Sequence, residues 1–95
     1  MKKISKKKLN DLLEKGATLI DMRSPIEYRD SSIEGSKNLP LRNFINHLQK
    51  HDKKVPIALI VKSFTDDDSD INLVANYAFQ VKFEKLYVIE YDKAI

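Results

Sequence analysis

Four aspartates crowd one short stretch of the chain, Asp66, Asp67, Asp68 and Asp70. Clustered carboxylate oxygens are what hard cations such as Ca²⁺ and Mg²⁺ prefer. The Asp66-x-Asp68-x-Asp70 spacing matches the first ligand positions of an EF-hand loop, but Ile71 stands where that loop needs glycine and Tyr77 where it needs glutamate. A simpler reading is a helix start. Carboxylates in a first turn gain ~0.3–1 kcal/mol each from the helix dipole, and Thr65 with Asp68 fits a capping pair. No metal or other cofactor is therefore assigned. Asp21, Arg23 and Glu27 form a second charged set, read as an Arg fork held by carboxylates at a strand end. His47 and His51, four residues apart, could share a helix face; without an H-E-x-x-H pattern they read as solvated helix residues. The chain has no cysteine, which rules out a sulfur nucleophile, disulfides and thiolate metal sites.

These residues must be carried by regular elements. Ser5 as N-cap, apolar residues at Leu9, Leu12 and Leu13, and Gly16 as a stop predict an amphipathic helix over 5–15. Thr18–Met22 is a short apolar strand, Pro25 opens a turn of helix through Tyr28, and Gly35 marks a tight turn. A short strand at 37–39 is stopped by Pro40, and Leu41, Phe44, Ile45 and Leu48 have helical spacing over 41–50. The run from Pro56 to Val61 is apolar throughout, as in a central strand covered on both faces. A polar turn at 63–66 leads into a helix with Ile71, Val74, Ala75, Ala78 and Phe79 on one face, and 86–89 is the last strand, with Tyr87 and Tyr91 as strand and edge packing. Alternating strands and helices imply right-handed crossovers and a largely parallel sheet of four to five strands with helices on both faces. Ligands on such sheets sit beyond the carboxyl ends of the strands, which points to the loop after Val61.

Ninety-five residues with two glycines and three prolines read as a single domain over 1–95. The longest apolar run, Ile57–Val61, is far short of the ~20 residues that span a bilayer. The lysine-rich start has no apolar stretch behind it, so a cytoplasmic location is expected. The net charge of +3 owes much to Lys2, Lys3, Lys6, Lys7 and Lys8, read as a solvated, frayed helix start. No aromatic residue interleaves them, so nucleic-acid binding is not expected.

Thr18-Leu19-Ile20-Asp21-Met22-Arg23-Ser24-Pro25-Ile26-Glu27-Tyr28, then Ser32-Ile33-Glu34-Gly35-Ser36-Lys37-Asn38-Leu39-Pro40, resembles the opening of a rhodanese-like domain. That family's pattern is roughly L-I-D-x-R-x-x-x-E-F/Y followed by H-I-x-G-A-x-N-I/L-P. The resemblance gives Asp21, Arg23, Glu27, Tyr28, Gly35, Asn38 and Pro40 structural roles. It also implies that active relatives carry a persulfide on a loop cysteine, in a stretch reading C-x-x-x-x-R-S/T. Here that stretch is Val61, Lys62, Ser63, Phe64, Thr65, Asp66 and Asp67, with valine for cysteine and aspartate for arginine. Ser32 replaces the usual histidine and Lys82 the glycine common before Phe83, and the usual Gly-Gly after Glu90 is absent.

A chain with this loop has neither nucleophile nor anion hole, and its aspartates would repel an anionic substrate. The expectation is a non-enzymatic, protein-binding or regulatory rhodanese-like module. Two surfaces could carry recognition, the acidic loop at 64–70 and the basic N-terminal arm with its helix; recognition is assigned to Phe64, Asp66, Asp67, Asp68 and Asp70 of the loop, which would suit a basic protein surface. The competing readings are an altered, metal-assisted enzyme and a relic without a ligand. Phe64 either anchors a partner or folds back over the vacant pocket.

Overall fold

The computed structural model describes residues 1–65 and 68–93. Asp66 and Asp67, to which binding was assigned above, lie outside the described residues. Strands β1 (Lys2–Lys3), β2 (Thr18–Asp21), β3 (Lys37–Asn38), β4 (Ile57–Val61) and β5 (Leu86–Glu90) alternate with helices α1 (Lys6–Glu14), α2 (Pro25–Asp30), α3 (Leu41–Lys50) and α4 (Ser69–Gln80). They form one sheet in the order β1-β5-β4-β2-β3, and every neighbouring pair is parallel. The expected fold class is therefore found, with all five strands parallel.

The central strand explains the layering. All five residues of β4 are buried, and strand alternation divides them between two faces. Ile57, Leu59 and Val61 join Phe44 and Leu48 of α3 and Ile71, Val74 and Ala78 of α4 in one cluster. Ala58 and Ile60 join Leu9 and Leu12 of α1 in another. Each large aliphatic side chain so buried contributes about 1.5–3 kcal/mol of transfer free energy.

Three expectations are corrected. Of the N-terminal lysines, Lys6, Lys7 and Lys8 do begin a helix, but Lys2 and Lys3 do not: they add to the open edge of β5, Ile4 is buried, and its N–H donates to the Val88 carbonyl at 2.8 Å. Helix α1 starts only after Ser5, whose hydroxyl accepts from the Lys8 N–H at 3.2 Å. Phe79, placed on the buried face of α4, is 84% exposed. Ile71, Val74 and Ala78 already define the buried stripe, and Phe79 lies one helical step outside it. Finally, Thr65 does not cap α4. Asp68 does, accepting from the Ile71 N–H at 3.0 Å, while the Thr65 carbonyl accepts from the Asp68 N–H.

Candidate functional site

The carboxyl ends of β2, β4 and β5 meet at one pole of the sheet. Asp21, fully buried at the end of β2, takes the Arg23 guanidinium in a fork, with Nε at 3.1 Å from both oxygens and Nη2 at 2.8 Å from Oδ2. Its Oδ1 also accepts the Arg23 backbone N–H at 2.9 Å. Arg23 Nη2 donates again to the Ser31 carbonyl at 2.6 Å, and its guanidinium lies 3.7 Å from the centroid of the Tyr91 ring. The bonds to Asp21 hold the guanidinium pKa above its ordinary value against the opposing effect of desolvation. A buried ion pair is tolerated because so many of its polar atoms are answered.

The other motif residues extend this frame. Asn38 donates to the carbonyls of Asp21 at 3.0 Å and Arg23 at 2.9 Å, tying β3 to the β2 exit. Ser24 and Glu27 form a reciprocal capping box with Pro25 in the first turn of α2. The Ser24 hydroxyl and backbone bonds lower the Glu27 pKa, with a smaller contribution from Lys62, whose ammonium is 3.5 Å away. Tyr28 donates to the Ser36 carbonyl, Gly35 has φ +85°, which a glycine adopts freely, and Pro40 stands at the N-cap position just before α3. The structure thus brings Asp21, Arg23 and Asn38 together and gives Glu27, Tyr28, Gly35 and Pro40 separate local roles.

The loop after β4 is built differently from an anion cradle. Val61 ends the strand, and its side chain packs in the core facing α3 and α4. Beside it lies a cleft of about 250 Å³ whose charged lining is Arg23, Lys62, Glu27, Asp68 and Asp70. Both cations are already matched by carboxylates, Arg23 by Asp21 and Lys62 by Glu27. Ser63 also lines the cleft and Thr65 is exposed. Phe64 is half-buried and packs against the same core cluster, so its ring turns back toward the protein. Its backbone N–H donates to Glu90 at 3.0 Å, and Lys3 approaches that carboxylate at 3.3 Å and the ring at 5.9 Å. The Glu90 pKa is lowered chiefly by the Phe64 N–H, then by Lys3. Among the described residues no group of three or more His, Asp or Glu side chains is arranged to hold a metal ion.

Three residues of this pole were missed or misread in the sequence. Tyr91 packs against the second core cluster as expected but does more: its ring covers Arg23 and its hydroxyl is hydrogen-bonded to that of Ser31. Glu90 holds the loop because β5 lies beside β4 in a register that pairs it with Val61, information carried by pairing and not by local spacing. Ser31 gave no signal of its own. The histidines are not solvated either. His47 and His51 are half-buried and hydrogen-bonded to each other at 3.0 Å, with the His51 ring edge-on to Phe83, 5.5 Å between centroids.

Comparison with known proteins gives a consistent result. The chain is similar in fold to the crystal structure of SSP1007 from Staphylococcus saprophyticus subsp. saprophyticus, with a TM-score of 0.68 and 17% identity over 95% of this chain and 87% of that one. No curated protein matches. The family model for the rhodanese-like domain matches residues 5–91, nearly the whole described sheet and all four helices, and the chain belongs to that family.

Proposed function

We propose that this rhodanese-like chain, one domain over 1–95, is catalytically inactive and acts in the cytoplasm as a protein-binding or regulatory module. The observation that carries the reading is Val61: the position expected to hold the nucleophile has an aliphatic side chain turned into the core. A valine offers no lone pair for a persulfide. The neighbouring cleft supports a cation-bearing occupant. Its two cations are neutralised, while Asp68 and Asp70 add negative charge at the mouth. A Lys- or Arg-bearing protein surface is the partner class that fits, with charge setting the encounter rate more than the affinity. Phe64 would contribute its half-exposed ring edge to such a contact. Among the described residues no helix is long and apolar enough to cross a membrane.

Two measurements test this. Thiosulfate:cyanide turnover should stay at the buffer blank; turnover by the purified chain would overturn the inactive reading. A pull-down should compare the parent with the Asp66→Ser, Asp67→Ser, Asp68→Ser triple variant, in which serine can still cap α4. A protein retained by the parent and lost by the variant supports recognition through the loop. Equal retention moves recognition elsewhere, and no specific retention favours a relic.

A further inference from the structure

The loop after β4 is held from the other end of the chain. Glu90 closes β5, and its Oε1 meets two donors: the Phe64 N–H at 3.0 Å and the Lys3 ammonium at 3.3 Å. Strand neighbours in register share a face of the sheet, and the face alternates along each strand. Lys3 lies opposite Val88 and Glu90 opposite Val61, and both valines belong to the cluster that faces α3 and α4. Phe64 packs on that same cluster, with the Lys3 ammonium 5.9 Å from its ring centroid. Three residues from three distant segments thus meet on one face. Lys2 lies opposite Tyr87, which packs on the cluster of α1, so Lys2 belongs to the other face.

The hold on β1 is light. The strand is two residues long and both are exposed. The Lys3 and Glu90 side chains are 53% and 40% exposed, and an ion pair so open to water is weak and screened by salt. Short terminal strands open locally, well before the sheet as a whole. The Phe64 N–H, by contrast, has a charged acceptor, and such bonds are the stronger kind.

We propose that β1 is a strap that latches the loop between β4 and α4 through Glu90. With the strap in place, Lys3 orients the Glu90 carboxylate toward the Phe64 N–H, and the ring stays packed on the core. When the strap lifts, the carboxylate loses its counter-ion and swings into water, the N–H loses its acceptor, and the ring is free to turn outward. Strap and loop form one two-state element, so whatever biases one biases the other. The strap's control over recognition rests on the role proposed above for Phe64 and its neighbours, whereas the latch itself does not.

The test is amide solvent exchange by NMR at pH 7, read at Phe64 and Ile4. Glu90→Ala should speed exchange at Phe64 at least about tenfold, as the loss of a hydrogen bond to a charged group implies. Lys3→Ala, far from Phe64 in the chain, should speed it about two- to fivefold, as the loss of an exposed ion pair allows. In the Glu90→Ala background Lys3→Ala should add nothing, because the latch is already open. Ile4 should exchange faster in Glu90→Ala, since its strand has lost the same ion pair, and Lys2→Ala should leave Phe64 unchanged. Exchange at Phe64 that ignores Lys3→Ala, that responds as strongly to Lys2→Ala, or that rises again with Lys3→Ala once Glu90 is alanine would each overturn the latch. No partner is needed for these readings. The latch can therefore fail while recognition at the loop stands, and the pull-down can fail while the latch stands.

Discussion

The two poles of this sheet are built on opposite principles. At the carboxyl ends of the strands, polar groups are answered from within: Arg23 by Asp21, the Ser31 carbonyl and the Tyr91 face, the Phe64 N–H by Glu90, and Lys62 by Glu27. At the amino ends the walls of an open groove are apolar, the Phe79 ring stands almost fully in water, and Lys82 adopts a glycine's backbone conformation. At the pole where this fold class normally works the cations are tied into the protein's own hydrogen bonds, leaving Asp68 and Asp70 beside the cleft, whereas the other pole is apolar and open. Charged groups that are satisfied internally hold the structure together, and they are correspondingly less available to a ligand. An exposed ring does the reverse, adding little to stability and remaining free to bind.

The contrast can be broken most directly at Arg23. Arg23→Ala leaves the Asp21 carboxylate buried and unpaired, and should destabilise the fold by about 3–5 kcal/mol, read as a lower midpoint in urea. A loss no larger than that of a surface substitution would mean that the first pole is not held by its polar frame. Lys82→Gly should go the other way, raising stability by roughly 1 kcal/mol as the left-handed strain is relieved; an unchanged midpoint would remove the argument that this lysine is held under strain.

The histidine pair sharpens the comparison through pH. The Val55 carbonyl can only accept, so His51 Nε2 donates to it at 2.9 Å, and His51 Nδ1 then accepts from His47 Nε2. Desolvation and the His51 charge push the His47 pKa below its ordinary 6.5. A depressed folded-state pKa means stability is fully present above pH 6.5 and declines as pH falls through the folded value. Urea midpoints measured between pH 8 and pH 5, with His47→Gln as control, should show a decline that the variant lacks. The smallest effect is expected at Phe79: Phe79→Ser should change stability by no more than about 0.5 kcal/mol, although it removes a whole aromatic ring. A large loss would show that the ring supports the fold after all.

Much of the fold was legible because its signals are local. The apolar run at 57–61, the Ser5 cap and the Gly16 stop each act within a few residues, and each is found where expected. What escaped depends on distant partners. Lys2 and Lys3 are a strand only because β5 offers an edge, and nothing in two lysines announces that. Phe79 looked buried because helical spacing fixes a stripe but not its width, and smaller residues fill the stripe here. At the site, the motif residues from Asp21 to Pro40 and the valine at position 61 were readable from the chain. Glu90 and Tyr91 were not, since their roles come from the pairing of β5 with β4 and from a ring packed over Arg23.

The pairing of β1 with β5 has a consequence for how the chain is made. Lys2 lies opposite Tyr87, and Lys3 reaches a carboxylate 87 positions further along. Closing so wide a loop costs little more than closing a modest one, about 0.6 kcal/mol for each doubling of length, so the final sheet is not penalised. Timing is another matter. Translation delivers β1 well ahead of β5, and the early strand has to wait, unpaired, until its neighbour leaves the ribosome. Its two lysines keep it hydrated through that interval and discourage pairing with other nascent chains. The last strand of the sheet to be synthesised is the one that admits the first, so the sheet is completed in a single late step.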